Sequence, residues 1–126
     1  MLSEGTIIAL STPSGNGAIA IIRISGRDAF KTTSLFFRSK SKISWDNIEQ
    51  NFSILGDFIV EENLIDEVLI TKYKSPRSYT GEDLVEISCH GSLYIQQKII
   101  SSFINVGIIP AKAGEFTLRS YLNKKI

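Results

Sequence analysis

Cysteine and histidine are almost missing from this chain, with one of each in 126 residues. A lone thiol cannot close an internal disulfide, which fits a reducing compartment. One cysteine and one histidine also supply too few ligands for a zinc site by themselves. An excess of one charge is lacking too. Fourteen basic residues stand against thirteen acidic ones, for a net charge of +1, so the chain as a whole carries no strong electrostatic footprint for nucleic acid. No apolar run reaches membrane-spanning length. No secretory leader is readable, because Glu4 interrupts the start and no basic segment leads into an apolar one. No G-x-x-x-x-G-K-[ST] occurs, so the sequence holds no P-loop. One cytoplasmic domain over residues 1–126 is the expectation, with no membrane association.

What is present is patterned for a folded core. Hydrophobic residues make up 43% of the chain and charged residues 21%, which suits one globular unit. Strands are predicted over Thr6 to Thr12, Ala18 to Ser25, Phe52 to Val60, Val68 to Tyr73 and Leu84 to Cys89, from their β-branched and apolar content. Ile108 and Ile109 suggest a short further strand. Pro13 to Gly17 reads as a turn, Arg38 to Asn51 as a surface loop, and EENLIDE as the link between the two central strands. Helices are predicted over Arg27 to Phe37, Ser92 to Val106 and Glu115 to Leu122. In the second, Ile95, Ile99, Ile100, Phe103 and Ile104 share a helical face, with Gln96, Gln97 and Ser101 elsewhere. The mixture predicts an α+β fold, a mixed sheet of about five or six strands with two to three packed helices.

YTGEDLVEISCHG, residues 79–91, holds the two rare residues side by side. Side chains alternate along a strand, so Val85, Ile87 and Cys89 face one way and Glu86, Ser88 and His90 the other. Cys89 therefore reads as a buried, inert thiol, and Cys89 and His90 do not form a dyad. Glu86 has two readings. Its face is solvated, as antiparallel sheets permit, or it is a pocket carboxylate that accepts paired N–H donors. Arg23 stands among Ile19, Ile21, Ile22 and Ile24 and needs an acceptor or a route outward. Either it forms a structural salt bridge, with Glu86 as a partner, or it serves an anionic or carbonyl-bearing ligand. The GNG run from Gly15 to Gly17 is too short a signal for a phosphate loop, and Lys124 and Lys125 read as a solvated basic tail.

Three stretches taken together carry a resemblance. TPSGNGAIAIIRISG (Thr12 to Gly26), SYTGEDLVEISCHG (Ser78 to Gly91) and AKAGEFTLRSYLNKKI (Ala111 to Ile126) resemble, in order and spacing, the N-terminal domain of the MnmE (TrmE) family of tRNA-modifying GTPases. The resemblance covers the whole chain and is least distinctive from Arg38 to Lys74. It implies a domain that binds a tetrahydrofolate derivative such as 5-formyltetrahydrofolate and forms a homodimer, with a fold similar to the folate-binding part of glycine-cleavage aminomethyltransferases. It implies a larger protein with helical and GTPase domains. That protein, with the flavoprotein MnmG (GidA), places an aminomethyl or carboxymethylaminomethyl group on C5 of the tRNA wobble uridine. GTP, potassium and magnesium would belong to the GTPase domain, which is absent from this chain, so the chain by itself is expected to be inactive as a GTPase.

The residues that the resemblance assigns to folate are Arg23, Glu86 and Lys125; it assigns no catalytic residue and no metal. Asn16 departs from a frequent basic residue, Ala113 from a proline, and Ser120-Tyr121 from Ala-Phe. The stop at Ile126 looks like an excised domain, and part of the folate site is expected beyond it. Two other readings stand beside this one: a stand-alone folate-dependent one-carbon transferase, and a dimerisation module without folate.

Overall fold

The computed structural model describes residues 5–13 and 15–125; Ser14, within the predicted turn, lies outside them. Among these residues seven strands form one sheet: β1 (Ile7–Leu10), β2 (Ile19–Ser25), β3 (Phe37–Ser39), β4 (Ser53–Val60), β5 (Asn63–Tyr73), β6 (Leu84–His90) and β7 (Ile109–Pro110). Three helices accompany them: α1 (Ala29–Ser34), α2 (Leu93–Asn105) and α3 (Glu115–Leu122). The spatial order is β3-β4-β5-β6-β2-β1-β7. All pairings are antiparallel except β1 with β7. The α+β class with a mixed sheet is as the sequence predicts.

The strand count exceeds the expected five or six, because β3 lies where a helix end and a loop were expected. α1 stops at Ser34, and Phe37 pairs with Phe58 across β4. Phe36 then turns into the core and stacks on Phe58, their ring centres 5.2 Å apart. Leu35, at the end of α1, is 55% exposed. β5 is longer than predicted for a different reason. Glu61 and Glu62 both take positive φ, 50° and 68°. That two-residue turn matches the twist of a hairpin, so Asn63 to Glu67 pair in the strand instead of bridging a loop.

Alternation along the strands divides the sheet into two faces. Ile22, Ile24, Ile70, Val85 and Ile87 point into the main core, where Ile99 and Phe103 of α2 and Ala29 of α1 cover them. Gln96, which the periodicity placed off the buried face of α2, is buried. Its Nε2 donates to the carbonyls of Gly15 and Gly91 at 2.9 and 3.1 Å. Asn16 Oδ1 accepts the Leu93 N–H at the start of α2. The Gly15–Gly17 loop is thus a clasp on that helix. Gly91 must be glycine there, because a Cβ would overlap the Gly17 carbonyl oxygen.

The opposite face is covered at one end only, by α3 and the loop at 74–83. The junction is built on Arg119, whose side chain is 5% exposed. Its Nη1 donates to both carboxylate oxygens of Glu82, at 3.1 and 3.2 Å. Its Nη2 donates to the Gly5 carbonyl at 2.8 Å and to Glu115 Oε2 at 3.1 Å. Ser25 Oγ adds a bond to Glu82 Oε1 and another with Thr80 Oγ1. Ser120 and Asn123 side chains bind the carbonyls of Tyr79 and Thr80.

Two stability outcomes follow. Arg119→Ala leaves the Glu115 carboxylate, 3% exposed, without its counter-charge and is expected to cost about 3–5 kcal/mol. Gly91→Ala is expected to cost about 1–3 kcal/mol through overpacking. Urea denaturation checks both, as a lower midpoint with an unchanged slope.

Candidate functional site

The pairing register sets Arg23 of β2 directly opposite Glu86 of β6, and Glu86 opposite Thr71 of β5. All three side chains lie on the sheet face away from α1 and α2. Arg23 Nε donates to Glu86 Oε2 at 2.6 Å. The salt bridge read as one option for Arg23 therefore exists. It is also half-open: the two side chains are 33% and 25% exposed. Only Nε of the guanidinium is used, and its two Nη groups have no hydrogen-bond partner among the described residues. An ion pair this open contributes little to stability, about 0–1 kcal/mol.

Two tyrosines frame the pair. Tyr73 OH donates to Glu86 Oε1 at 3.4 Å. Burial first, and then the charge of Glu86, push the Tyr73 phenol above its ordinary pKa, so it remains a donor. Tyr79, in the loop fixed by α3, places its ring under the Arg23 guanidinium, 5.5 Å from carbon to ring centre. Neither tyrosine was singled out from sequence. Tyr73 carried a signal in its strand phase, two positions beyond Thr71; a loop residue such as Tyr79 carried none.

Lys125 arrives at the same end of the face by another route. Its N–H donates to the Ser120 carbonyl at 2.9 Å, and its side chain passes Gly81, two residues from Tyr79. It forms no hydrogen bond or ion pair with Arg23 or Glu86 among the described residues. Arg23 and Glu86 are thus joined directly, and Lys125 stands beside the loop that carries their aromatic neighbour.

The next row across the sheet is mostly apolar. Ile21, Ser88, Leu69 and Leu55 lie opposite one another in turn. Leu55 and Leu69 are exposed, as is Ile19 further along β2. With His90 they line a shallow cleft of about 210 Å³. His90 Nδ1 lies 2.8 Å from Asp66 Oδ1, and the His90 N–H donates to Asp66 Oδ2. Its partner is this aspartate and not Cys89, which points into the core at 4% exposure. Among the described residues no cluster of His, Cys, Asp and Glu is suited to hold a metal ion. Among the described residues no helix is long and apolar enough to cross a membrane.

The pair offers a ligand two complementary edges, an acceptor at Glu86 and donors at the Arg23 Nη groups. A planar group with adjacent N–H and carbonyl functions fits such an edge. Comparison with known proteins gives this geometry a family context. The family model described as "GTP-binding protein TrmE N-terminus" matches residues 6–125. The chain is 51% identical over 126 residues to the tRNA modification GTPase MnmE of Christiangramia forsetii, covering 100% of this chain and 27% of that protein. It is 47% identical to the protein of the same name from Flavobacterium johnsoniae, with the same coverage. The Fervidobacterium nodosum protein, also so named, is 48% identical over 99% of this chain and 27% of its own length. The chain thus spans about a quarter of the length of these curated relatives.

Burial, and secondarily Asp66, push the Cys89 thiol up to about 11. The folded pKa lies above the unfolded one, so the unfolded chain loses this proton first. Stability linked to Cys89 is complete below about pH 8.5 and is lost as pH rises toward 11. Iodoacetamide at pH 8 is expected to leave the native thiol unlabelled and to label it fully in urea, with mass spectrometry as the readout.

Proposed function

The chain belongs to the TrmE N-terminal family, and from that premise we propose that it is the folate-binding and dimerisation domain of a tRNA-modification GTPase. The observation that carries this reading is the half-open Arg23–Glu86 pair on the uncovered sheet face, with Lys125 near its end. The Glu86 carboxylate accepts from the 2-amino and N3 groups of a pterin. The Arg23 Nη groups take the ring carbonyl, and Lys125 takes a carboxylate of the glutamate tail. The bound form proposed is 5-formyltetrahydrofolate or a related tetrahydrofolate. Tyr79 and Tyr73 supply apolar walls beside these polar contacts, the usual composition of a small-molecule site.

The whole protein would hydrolyse GTP in a separate domain that binds potassium and magnesium. In the cytoplasm, with the flavoprotein MnmG, it would use the folate one-carbon unit to modify C5 of the wobble uridine of tRNA. Homodimerisation is proposed through the same sheet face. Exposed Ile19, Leu55 and Leu69 lie one to two rows from the pair, and a second copy would remove their apolar surface from water.

Calorimetric titration of the 126-residue chain with 5-formyltetrahydrofolate tests the site. Glu86→Gln and Arg23→Ala are each expected to weaken binding by roughly tenfold or more, since each removes charge-assisted hydrogen bonds of about 1.5–3 kcal/mol. Unchanged affinity in both variants, with urea midpoints like that of the parent, overturns the assignment.

A further inference from the structure

Two clefts of the molecule lie away from the Arg23–Glu86 pair, and they adjoin each other. One, of about 500 Å³, is lined by Phe30, Lys31, Trp45, Lys72 and Lys74, among others. The second, of about 370 Å³, includes Phe37, Arg38, Lys42 and again Trp45. Trp45 and Ser34 line both. Five cations therefore flank one indole, and Asp46 is the one carboxylate in either lining. In a chain with a net charge of +1, that is a strong local asymmetry.

Lys72 is the least expected of the five. It points to the core side of β5, in phase with Val68 and Ile70, and is 6% exposed. Its Nζ donates to the Trp45 carbonyl at 2.9 Å. The ammonium lies 4.8 Å from the Trp45 ring centre and 5.2 Å from that of Phe30. An ammonium has three N–H donors, and two of these have no acceptor among the described residues. Burial, and then nearby Lys74, lower the Lys72 pKa against the opposing pull of Asp46 and Asp83. The positive charge at the back of the first cleft is thus under-compensated. Lys31, Arg38, Lys42 and Lys74 are exposed along the two clefts. Lys40, nearby in sequence, is neutralised by Asp57 and Glu67 at 2.8 and 3.0 Å.

We propose that the paired clefts astride Trp45 bind single-stranded RNA, with phosphates on the flanking cations and bases against Trp45 and Phe30. Flat aromatic surfaces beside a line of cations are what unpaired nucleotides require, because every base has a stacking face and every linkage a negative charge. An isolated anion would occupy one cleft, whereas a strand passes both. The choice of RNA rests on the proposed function; the pairing of rings with cations does not. This face is separate from the folate pair, so each fails or stands alone.

Trp45 is the chain's one tryptophan, so its emission reports on this site without labelling. Titration with a short oligouridylate is expected to quench it saturably, with an affinity that falls as salt rises by about 0.7 in log–log slope per phosphate contact. Lys42→Glu and Lys74→Glu, one in each cleft, are each expected to weaken binding about fivefold or more and to flatten the salt slope by about 0.7. Lys112→Glu, just before α3, is expected to change it less than about twofold. Lys31→Glu repeats the test in the first cleft should Lys74→Glu fail to fold. Absence of quenching overturns the proposal. So does equal quenching by uridine monophosphate at the same nucleotide concentration, or an effect of charge reversal in one cleft alone. Calorimetry with 5-formyltetrahydrofolate on the same variants is expected to be unchanged. A loss of RNA binding with folate binding intact separates this site from the other.

Discussion

A single buried guanidinium holds together the end of this molecule that carries the Arg23–Glu86 pair. Arg119 joins α3 to the start of β1 and to the loop before β6 in one hydrogen-bonded junction. Those segments are far apart in sequence. Each side of the junction answers a different need. Glu82 and Glu115 balance the charge, and the Gly5 carbonyl takes a further N–H. Such a charge is tolerable inside a protein only when its donors are satisfied together. The loop carrying Tyr79 is therefore held firmly, and with it the ring beneath Arg23. Two of the three stretches that carry the family resemblance supply acidic and basic members of this junction, and Ser25 of the third adds a hydroxyl. They are spaced as they are because they meet.

The two faces of the sheet solve opposite electrostatic problems. On the uncovered face, Arg23 and Glu86 cancel each other and leave directional hydrogen-bonding edges. That suits recognition by shape and donor pattern. Around Trp45 the cations outnumber the carboxylate, and beyond the Trp45 carbonyl the neighbours of the Lys72 ammonium are two aromatic rings. That suits attraction to a negative chain. The thin sheet between them keeps the two environments apart, with the apolar layer of Ile22, Ile70 and Ile87 under α2.

Much of this arrangement was legible from alternation. The period-two pattern in β6 correctly sent Cys89 inward and Glu86 and His90 outward, and the same reasoning marked Arg23 as needing an acceptor. α2 and α3 were legible from periodicity and from Glu115 at a helix start. What was hidden depended on the third dimension. β3 exists because Phe36 is drawn onto Phe58 and Phe103, which local propensity does not record. The Glu61–Glu62 turn lacks the Asn-Gly signature of its geometry. Arg119 drew no reading of its own from the sequence, although Glu115 four positions earlier was a hint. Lys72 was the clearest missed signal, a lysine in the apolar phase of a strand.

The sheet ends in β3, three residues long, on one side and β7, two residues long and capped by Pro110, on the other. Such stubs offer almost no free backbone ladder to a neighbouring molecule. Growth by adding strand to strand, the route to ribbons and fibrils, is thereby blocked at both margins. Association is left to the broad surfaces, and in the dimer proposed above two copies stacked face against face would each use up the same surface and leave none for a third. The short rims would thus set the arithmetic of that assembly, making an open-ended sheet into a part that can be counted.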